Sequence, residues 1–286
     1  MNVNLPANIA DVSPEDIMRL TGQEAGQSGI NLPSLRINYH EEDDDGNSLP
    51  KGHWVMSVDG VLVYAPEVLV RILFSTYQYG HYDNDLKKQV STSVHFQNWS
   101  DDIPDDSGGF RCGKVSKTEY EKLSPADQAV QKDIKLSRVL FCLVDIDGVD
   151  FEGNPVSAES VPAVFYARGT NFMPIADYLK TLTRHKKLMQ KVITKFKIEK
   201  HKNGTLTYFE VAPESGDEVD AITSHDIELI QEAAEAVKAE NDGVIAKFEK
   251  ARGGSKKKVD QSKDLLAKIL DDDDDLNDEL PPNLGG

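Results

Sequence analysis

Cysteine is nearly absent from this 286-residue chain: Cys112 and Cys142 are the only two. Their wide separation suggests no disulfide framework, and neither they nor the histidines have the paired spacing that holds zinc. Long apolar runs are missing as well, and none approaches the ~20 residues that span a bilayer. The opening stretch "MNVNLPANIADVSPEDIM" lacks a basic region followed by an apolar one. No signal peptide is therefore expected, and the expected compartment is the cytoplasm. There is no nucleophile elbow and no H-E-x-x-H motif. These absences lead us to expect a protein that is not an enzyme and that carries no cofactor and no membrane segment.

The hydrophobic content of 39% allows a sizeable core in one large domain or two small ones. The net charge of −17 is unfavourable for a polyanion ligand, but it is unevenly spread. Residues 1–50 carry −7, residues 51–212 carry +1 and residues 213–286 carry −11. Within the middle segment, residues 180–202 hold nine basic groups: Lys180, Arg184, Lys186, Lys187, Lys191, Lys195, Lys197, Lys200 and Lys202. Glu199 is the single acid among them. Such a cluster is either a polyanion footprint or a solvated helix face followed by a hairpin.

The element pattern predicts four segments. Residues 1–50 read as an N-terminal arm ending in the acidic loop "EEDDDGNSLPKG". Residues 51–212 read as a mainly β domain. "HWVMSVDGVLVYAP" is a hairpin turning at Asp59-Gly60, and "EVLVRILFSTYQYGHY", "QVSTSVHFQNW", "KLSRVLFCLVDI" and "VPAVFYARG" are strands. "SPADQAVQKD" is a short helix with Ser124 as N-cap and Pro125 in its first turn. In "NFMPIADYLKTLTRHKKLMQK" the residues Ile175, Tyr178, Leu179, Leu182, Leu188 and Met189 recur at helical spacing. "VITKFKIEK" and "TLTYFEVAP" then form a hairpin about Asn203-Gly204. Residues 213–252 read as a linker, "SGDEVDA", and a C-terminal helix capped by Ser224. Residues 253–286 read as a flexible basic linker and an acidic tail, since Asp271 to Asp275 with Asp278 and Glu279 repel one another. Strands, then a helix, then a closing hairpin is the order of an OB-like Greek-key barrel. The fold class expected is thus mainly β with helices (α+β), the helix lying before the closing hairpin.

Two short motifs invite chemistry. "GGFRCGKV" starts like a phosphate loop, but Val115 stands where a hydroxyl is needed and Asp105 and Asp106 precede it. A turn carrying Arg111 and Lys114 that can touch a nucleic-acid backbone fits better. "DIDGVDFEGN" gathers Asp145, Asp147, Asp150 and Glu152, but its spacing misses the calcium loop, and a solvated loop between strands is the plainer reading. Among the aromatics, Tyr77, Tyr79 and Tyr82 lie in a polar context, "STYQYGHYDND". Each ring is either core or a surface on which bases stack.

The whole resembles the single-stranded DNA-binding proteins of tailed bacteriophages. The familiar segments are "LPSLRINYHEEDDDGNSLPKGHW", "FQNW", "RGTNFMPIADYL" and "RHKKLM", with the acidic C-terminus. The resemblance covers roughly residues 31–212 and the tail. It implies sequence-independent binding of single-stranded DNA during replication and recombination in a host bacterial cytoplasm. It further implies an acidic tail that competes with DNA for the groove and docks replication or recombination proteins. The residues expected to contact DNA are Tyr77, Tyr79, Tyr82, Arg111, Lys114, Arg168, Arg184, Lys186, Lys187, Lys191, Lys195, Lys197, Lys200 and Lys202. The autoinhibitory, partner-binding set is Asp271, Asp272, Asp273, Asp274, Asp275, Asp278 and Glu279. A homo-oligomer is open. Two other classes are weighed beside this one: an acidic DNA mimic that inhibits a DNA-binding enzyme, and a metal-dependent nuclease using Asp145 and Asp147.

Overall fold

Asp59 and Gly60 take positive φ angles of 49° and 85°, which a two-residue type I′ turn requires. They join β2 (Trp54–Val58) to β3 (Val61–Ala65), with Val58 opposite Val61 as the sequence predicts. The computed structural model describes residues 32–42, 46, 48–83, 88–97, 103–107 and 117–251. The remaining strands are β1 (Ser34–Ile37), β4 (Glu67–Asp83), β5 (Lys88–Thr92), β6 (Ile134–Val149), β7 (Pro155–Arg168), β8 (Val192–Asn203) and β9 (Leu206–Glu218). The helices are α1 (Lys117–Tyr120), α2 (Pro125–Asp133), α3 (Phe172–Arg184) and α4 (Ser224–Ala251). Mainly β with helices is the architecture observed.

Five strands close into a ring. β1 pairs antiparallel with β2 and parallel with β7, β6 pairs with β7, and β3 returns to β6 through Tyr64 opposite Val149. Closure needs a close approach: a Cβ on Gly148 would sit 2.2 Å from the Tyr64 carbonyl oxygen, so only glycine fits there. Outside the ring, β4 continues from β6 to carry β5 and the β8–β9 hairpin. Trp54 is fully buried at the centre, edge-on to Phe165 and tilted on Phe196. Its indole N–H donates to the Phe196 carbonyl at 2.9 Å, which ties the ring to the outer hairpin. Ile175, Tyr178, Leu179 and Leu182 of α3 are buried in the same core, at the spacing the sequence shows.

Several boundaries differ from the sequence reading. β1 falls inside the segment read as an arm: Leu35 and Ile37 alternate inward, and a strand this short has only two buried positions to signal it. Asp145 and Asp147 lie in β6, not in a loop, and the turn is confined to residues 150–154. β9 runs through the residues read as a linker, to Glu218. The β8–β9 turn is Gly204-Thr205, with Asn203 opposite Leu206. Gly204, at φ 60°, takes the first central position as a type II′ turn demands. Ser124 does cap α2, its hydroxyl accepting from the Asp127 N–H at 3.2 Å. At α4 the cap is Thr223, one residue before the expected Ser224. Its hydroxyl accepts from the Asp226 N–H, and the Asp226 carboxylate accepts from the Thr223 N–H, a reciprocal capping box.

α4 docks on β4, β6 and β7 with few large apolar groups; Ala233, Val237 and Val244 are its buried ones in the two core clusters it joins. Polar contacts complete the seat. Arg71 pairs with the buried Asp226, and Asn241 brackets the His95 backbone, accepting at 2.6 Å and donating at 3.0 Å. Burial pushes the Asp226 carboxyl up, but hydrogen bonds from Thr223 and from the Arg71 guanidinium outweigh it and hold the carboxyl below its ordinary value.

Candidate nucleic-acid interface

The basic cluster begins where α3 ends. The Lys186 N–H donates to the Thr183 carbonyl and the Lys187 N–H to the Leu182 carbonyl, both at 2.9 Å, a Schellman ending. Lys186 takes the left-handed position, φ 56°, which favours glycine. A short 3₁₀ turn, Met189–Lys191, then leads into β8. In β8 the residues Val192, Thr194 and Phe196 are buried, so Lys195 and Lys197 lie on the outward face.

The fold divides the nine cations of the cluster into two groups. Lys187 pairs with Glu218 at 2.6 Å, Lys195 with Glu67 at 2.8 Å and Lys197 with Glu214 at 2.7 Å. The carboxyls of Glu218 and Glu67 are held below their ordinary values by these lysines, and Glu214 raises Lys197. These three lysines are already neutralised. Lys180, Arg184, Lys186, Lys191, Lys200 and Lys202, with Arg168 at the end of β7, make no ion pair among the described residues. Lys200 lies close enough to Glu41 to help lower its carboxyl, chiefly an effect of Lys51 at 2.9 Å.

The tyrosines divide too. Tyr77 and Tyr79 are buried and stack on Phe96, with ring centroids at 5.8 and 5.6 Å. Arg138 donates to the Tyr77 hydroxyl at 3.0 Å. These two rings are core, which removes them from the set expected to stack on bases: Phe96 and Phe172 pack on the strand face on which they lie, opposite the Gln78 face that meets α4. Tyr82 is 38% exposed at the far end of β4. Arg111 and Lys114, and the tail residues Asp271 to Asp275, Asp278 and Glu279, lie outside the described residues.

The structure adds rings that the sequence reading missed. His201 stacks on Tyr208 across the outer hairpin, at 5.3 Å and 20°. Tyr39 is 48% exposed and packs edge-on against Phe209 of the same hairpin. Lys200 and Lys202 share one face of the hairpin with Phe209 and so lie on the side of Tyr39, whereas the His201–Tyr208 pair lies on the other face, with Glu199 at 3.5 Å and Glu210 at 3.9 Å from His201. The signal for His201 and Tyr208 was the hairpin register; Tyr39 lay in the segment read as an arm and gave none. Of the acidic residues near the β6–β7 turn, Asp145 accepts from the Ser160 N–H at 2.7 Å. Asp150 accepts from the Glu152 and Asn154 N–H groups, and Asn154 holds its carboxyl low. Among the described residues no three His, Cys, Asp or Glu side chains could together hold a metal ion. Likewise, no helix among them is long and apolar enough to cross a membrane.

No family model, no curated protein and no solved structure matches the chain.

Proposed function

We propose that this protein binds single-stranded DNA without sequence preference, through the surface made by the end of α3 and the β8–β9 hairpin. The observation that carries the reading is the cluster of cations that make no ion pair among the described residues, Arg184, Lys186, Lys191, Lys200 and Lys202, with the exposed ring of Tyr39 on the Lys200 side of the hairpin and the His201–Tyr208 pair on its other face. Lysines and arginines follow a phosphate backbone, and exposed rings stack on unpaired bases, whatever their identity. The five-stranded ring is read as OB-like, and the β8–β9 hairpin, which β4 carries outside that ring, is the binding element. The acidic segment 271–279 competes with DNA for that surface and, once displaced, docks basic patches on replication or recombination proteins. Residues 252–270 separate α4 from these acids in the sequence. The protein thereby protects single strands, and the tail reports that DNA is bound.

The test is a titration of labelled oligo-dT and of a duplex of equal length at low salt. The single strand binds more tightly, because only its bases can stack. Tighter binding to duplex, or no binding at all, overturns the reading. Inhibition of a DNA-binding enzyme by a protein that itself binds no DNA would point instead to an acidic mimic. Magnesium-dependent cleavage would point to a nuclease.

A further inference from the structure

A second polar site lies away from the cationic hairpin. β5, β4, β6 and β7 form adjacent strands, and α4 crosses over the last three. Between helix and sheet is a cavity of about 280 Å³, lined by Gln78, Gln89, Ser137, Tyr166, Arg168 and Glu240 among others. It lies just below the size range of pockets for drug-sized ligands, so it suits one planar base and not a longer segment. All six of these lining side chains carry polar groups that can hydrogen-bond a ligand or water.

The site has unmet hydrogen-bonding capacity. Ser137 is only 8% exposed, yet its hydroxyl makes no hydrogen bond. The Tyr166 hydroxyl also makes none, and burial, then the Glu240 charge, push its ionisation up to about 12. It therefore stays a neutral donor. Glu240 accepts from the Gln78 side-chain N–H at 2.9 Å, and its other oxygen lies 3.4 Å from Nε2 of the buried His95, which together fix the carboxylate at the cavity wall. Gly80 leaves room for the Gln89 amide, which would lie 2.6 Å from a Cβ there. Arg168, from β7, makes no ion pair among the described residues. The cavity thus has one fixed negative group, one positive group without an ion pair and two neutral hydroxyl donors in its lining.

We propose that this cavity binds a guanine base. Guanine is the base whose Watson–Crick edge gives two adjacent donors, N1–H and N2–H, to a carboxylate. Its O6 and N7 are acceptors that suit an arginine. Thymine would turn carbonyls toward Glu240, and cytosine and adenine supply one amino group each. The net charge of the lining is close to zero, so a free phosphate is disfavoured. The base comes either from a DNA strand, in which case the inference rests on the proposed DNA binding, or from a free guanine nucleotide.

The test uses the full chain with four probes: dT15, dT7-dG-dT7, GMP and CMP. One bidentate contact corresponds to about a tenfold preference. The dG oligonucleotide therefore binds about tenfold more tightly than dT15, and GMP binds where CMP at equal concentration does not. Ser137→Leu, which fills the floor, brings the dG oligonucleotide down to the dT15 level. Glu240→Gln, which keeps an acceptor for Gln78, does the same. GMP binding without any oligonucleotide binding keeps the cavity as a free-nucleotide site and removes the DNA reading. Oligonucleotide binding with no guanine preference and no GMP binding removes the cavity proposal and leaves the DNA reading intact.

Discussion

Replacing Glu67, Glu214 and Glu218 with Gln should make the protein a better DNA binder. Each carboxylate neutralises one outward lysine of the cluster, Lys195, Lys197 or Lys187 in turn. Contacts with single-stranded phosphates release about 0.7 counterion each, so the five cations assigned to the proposed surface give a log–log salt slope of about −3.5. Freeing three more steepens the slope by about 2. If the wild-type and variant lines meet near 1 M salt, the gain at 0.1 M is about 100-fold, with less for any lysine that misses the strand. Fluorescence anisotropy of labelled oligo-dT from 0.05 to 0.4 M salt measures both slope and gain. Stability should hardly change, because exposed ion pairs contribute little. The mirror experiment, Arg184→Ala with Lys186→Ala and Lys191→Ala, flattens the slope by about 2. The matched change in Lys187, Lys195 and Lys197 moves it by less than about 1. Equal slopes for the wild type and the Glu→Gln triple variant would refute the reasoning, since freed lysines on a DNA surface must change counterion release.

Deleting residues 271–286 removes seven carboxylates, so oligo-dT affinity should rise at low salt; the gain should vanish near 1 M, where screening acts within about 3 Å. Unchanged low-salt affinity by the same anisotropy assay would leave the tail as a solubility device. Asp226→Ala leaves Arg71 without its partner and removes a helix cap, costing about 3 kcal/mol of unfolding free energy, read from urea titration. Because the Asp226 carboxyl is lowered in the folded state, its contribution is complete above its unfolded value of about 3.9. That contribution is lost as pH falls through the lower folded value; wild-type stability should drop there more steeply than that of Asp226→Ala. Lys186→Gly relieves the left-handed position at the end of α3 and should stabilise the fold by about 1 kcal/mol, raising Tm by about 2–4 °C by calorimetry. Cys142 is buried and its thiol is pushed well up, so a thiol reagent should label it only after unfolding.

Most strands other than β1, the order of helix and hairpin, and the buried face of α3 were legible in the sequence. They rest on local signals: Asp59-Gly60, the β-branched runs, and Ile175, Tyr178, Leu179 and Leu182 at helical spacing. What was not legible depends on partners distant in the chain. Lys195 and Glu67 are 128 residues apart, so a run of nine bases could not reveal that three of them are neutralised. Tyr77 and Tyr79 stand among polar residues, and only the packing of Phe96 and Phe172 over them makes them core. The hairpin shows how a small error grows. Moving the turn from Asn203-Gly204 to Gly204-Thr205 shifts the partner of every β8 residue by two positions. That shift sets Tyr208 opposite His201 and brings the two rings into contact. The ring of five strands also depends on β1, whose four residues carry too little pattern to be seen alone.

The central claim is that single-stranded DNA lies on the β8–β9 hairpin and the end of α3. Photocross-linking of iodouracil-containing oligo-dT to the full chain, followed by peptide mass spectrometry, tests it most directly. Adducts should fall on Tyr39, His201 or Tyr208, and should diminish when Lys200 and Lys202 are replaced by Ala. Adducts confined to Tyr82 or to the outer face of α4, unaffected by that replacement, would contradict the account.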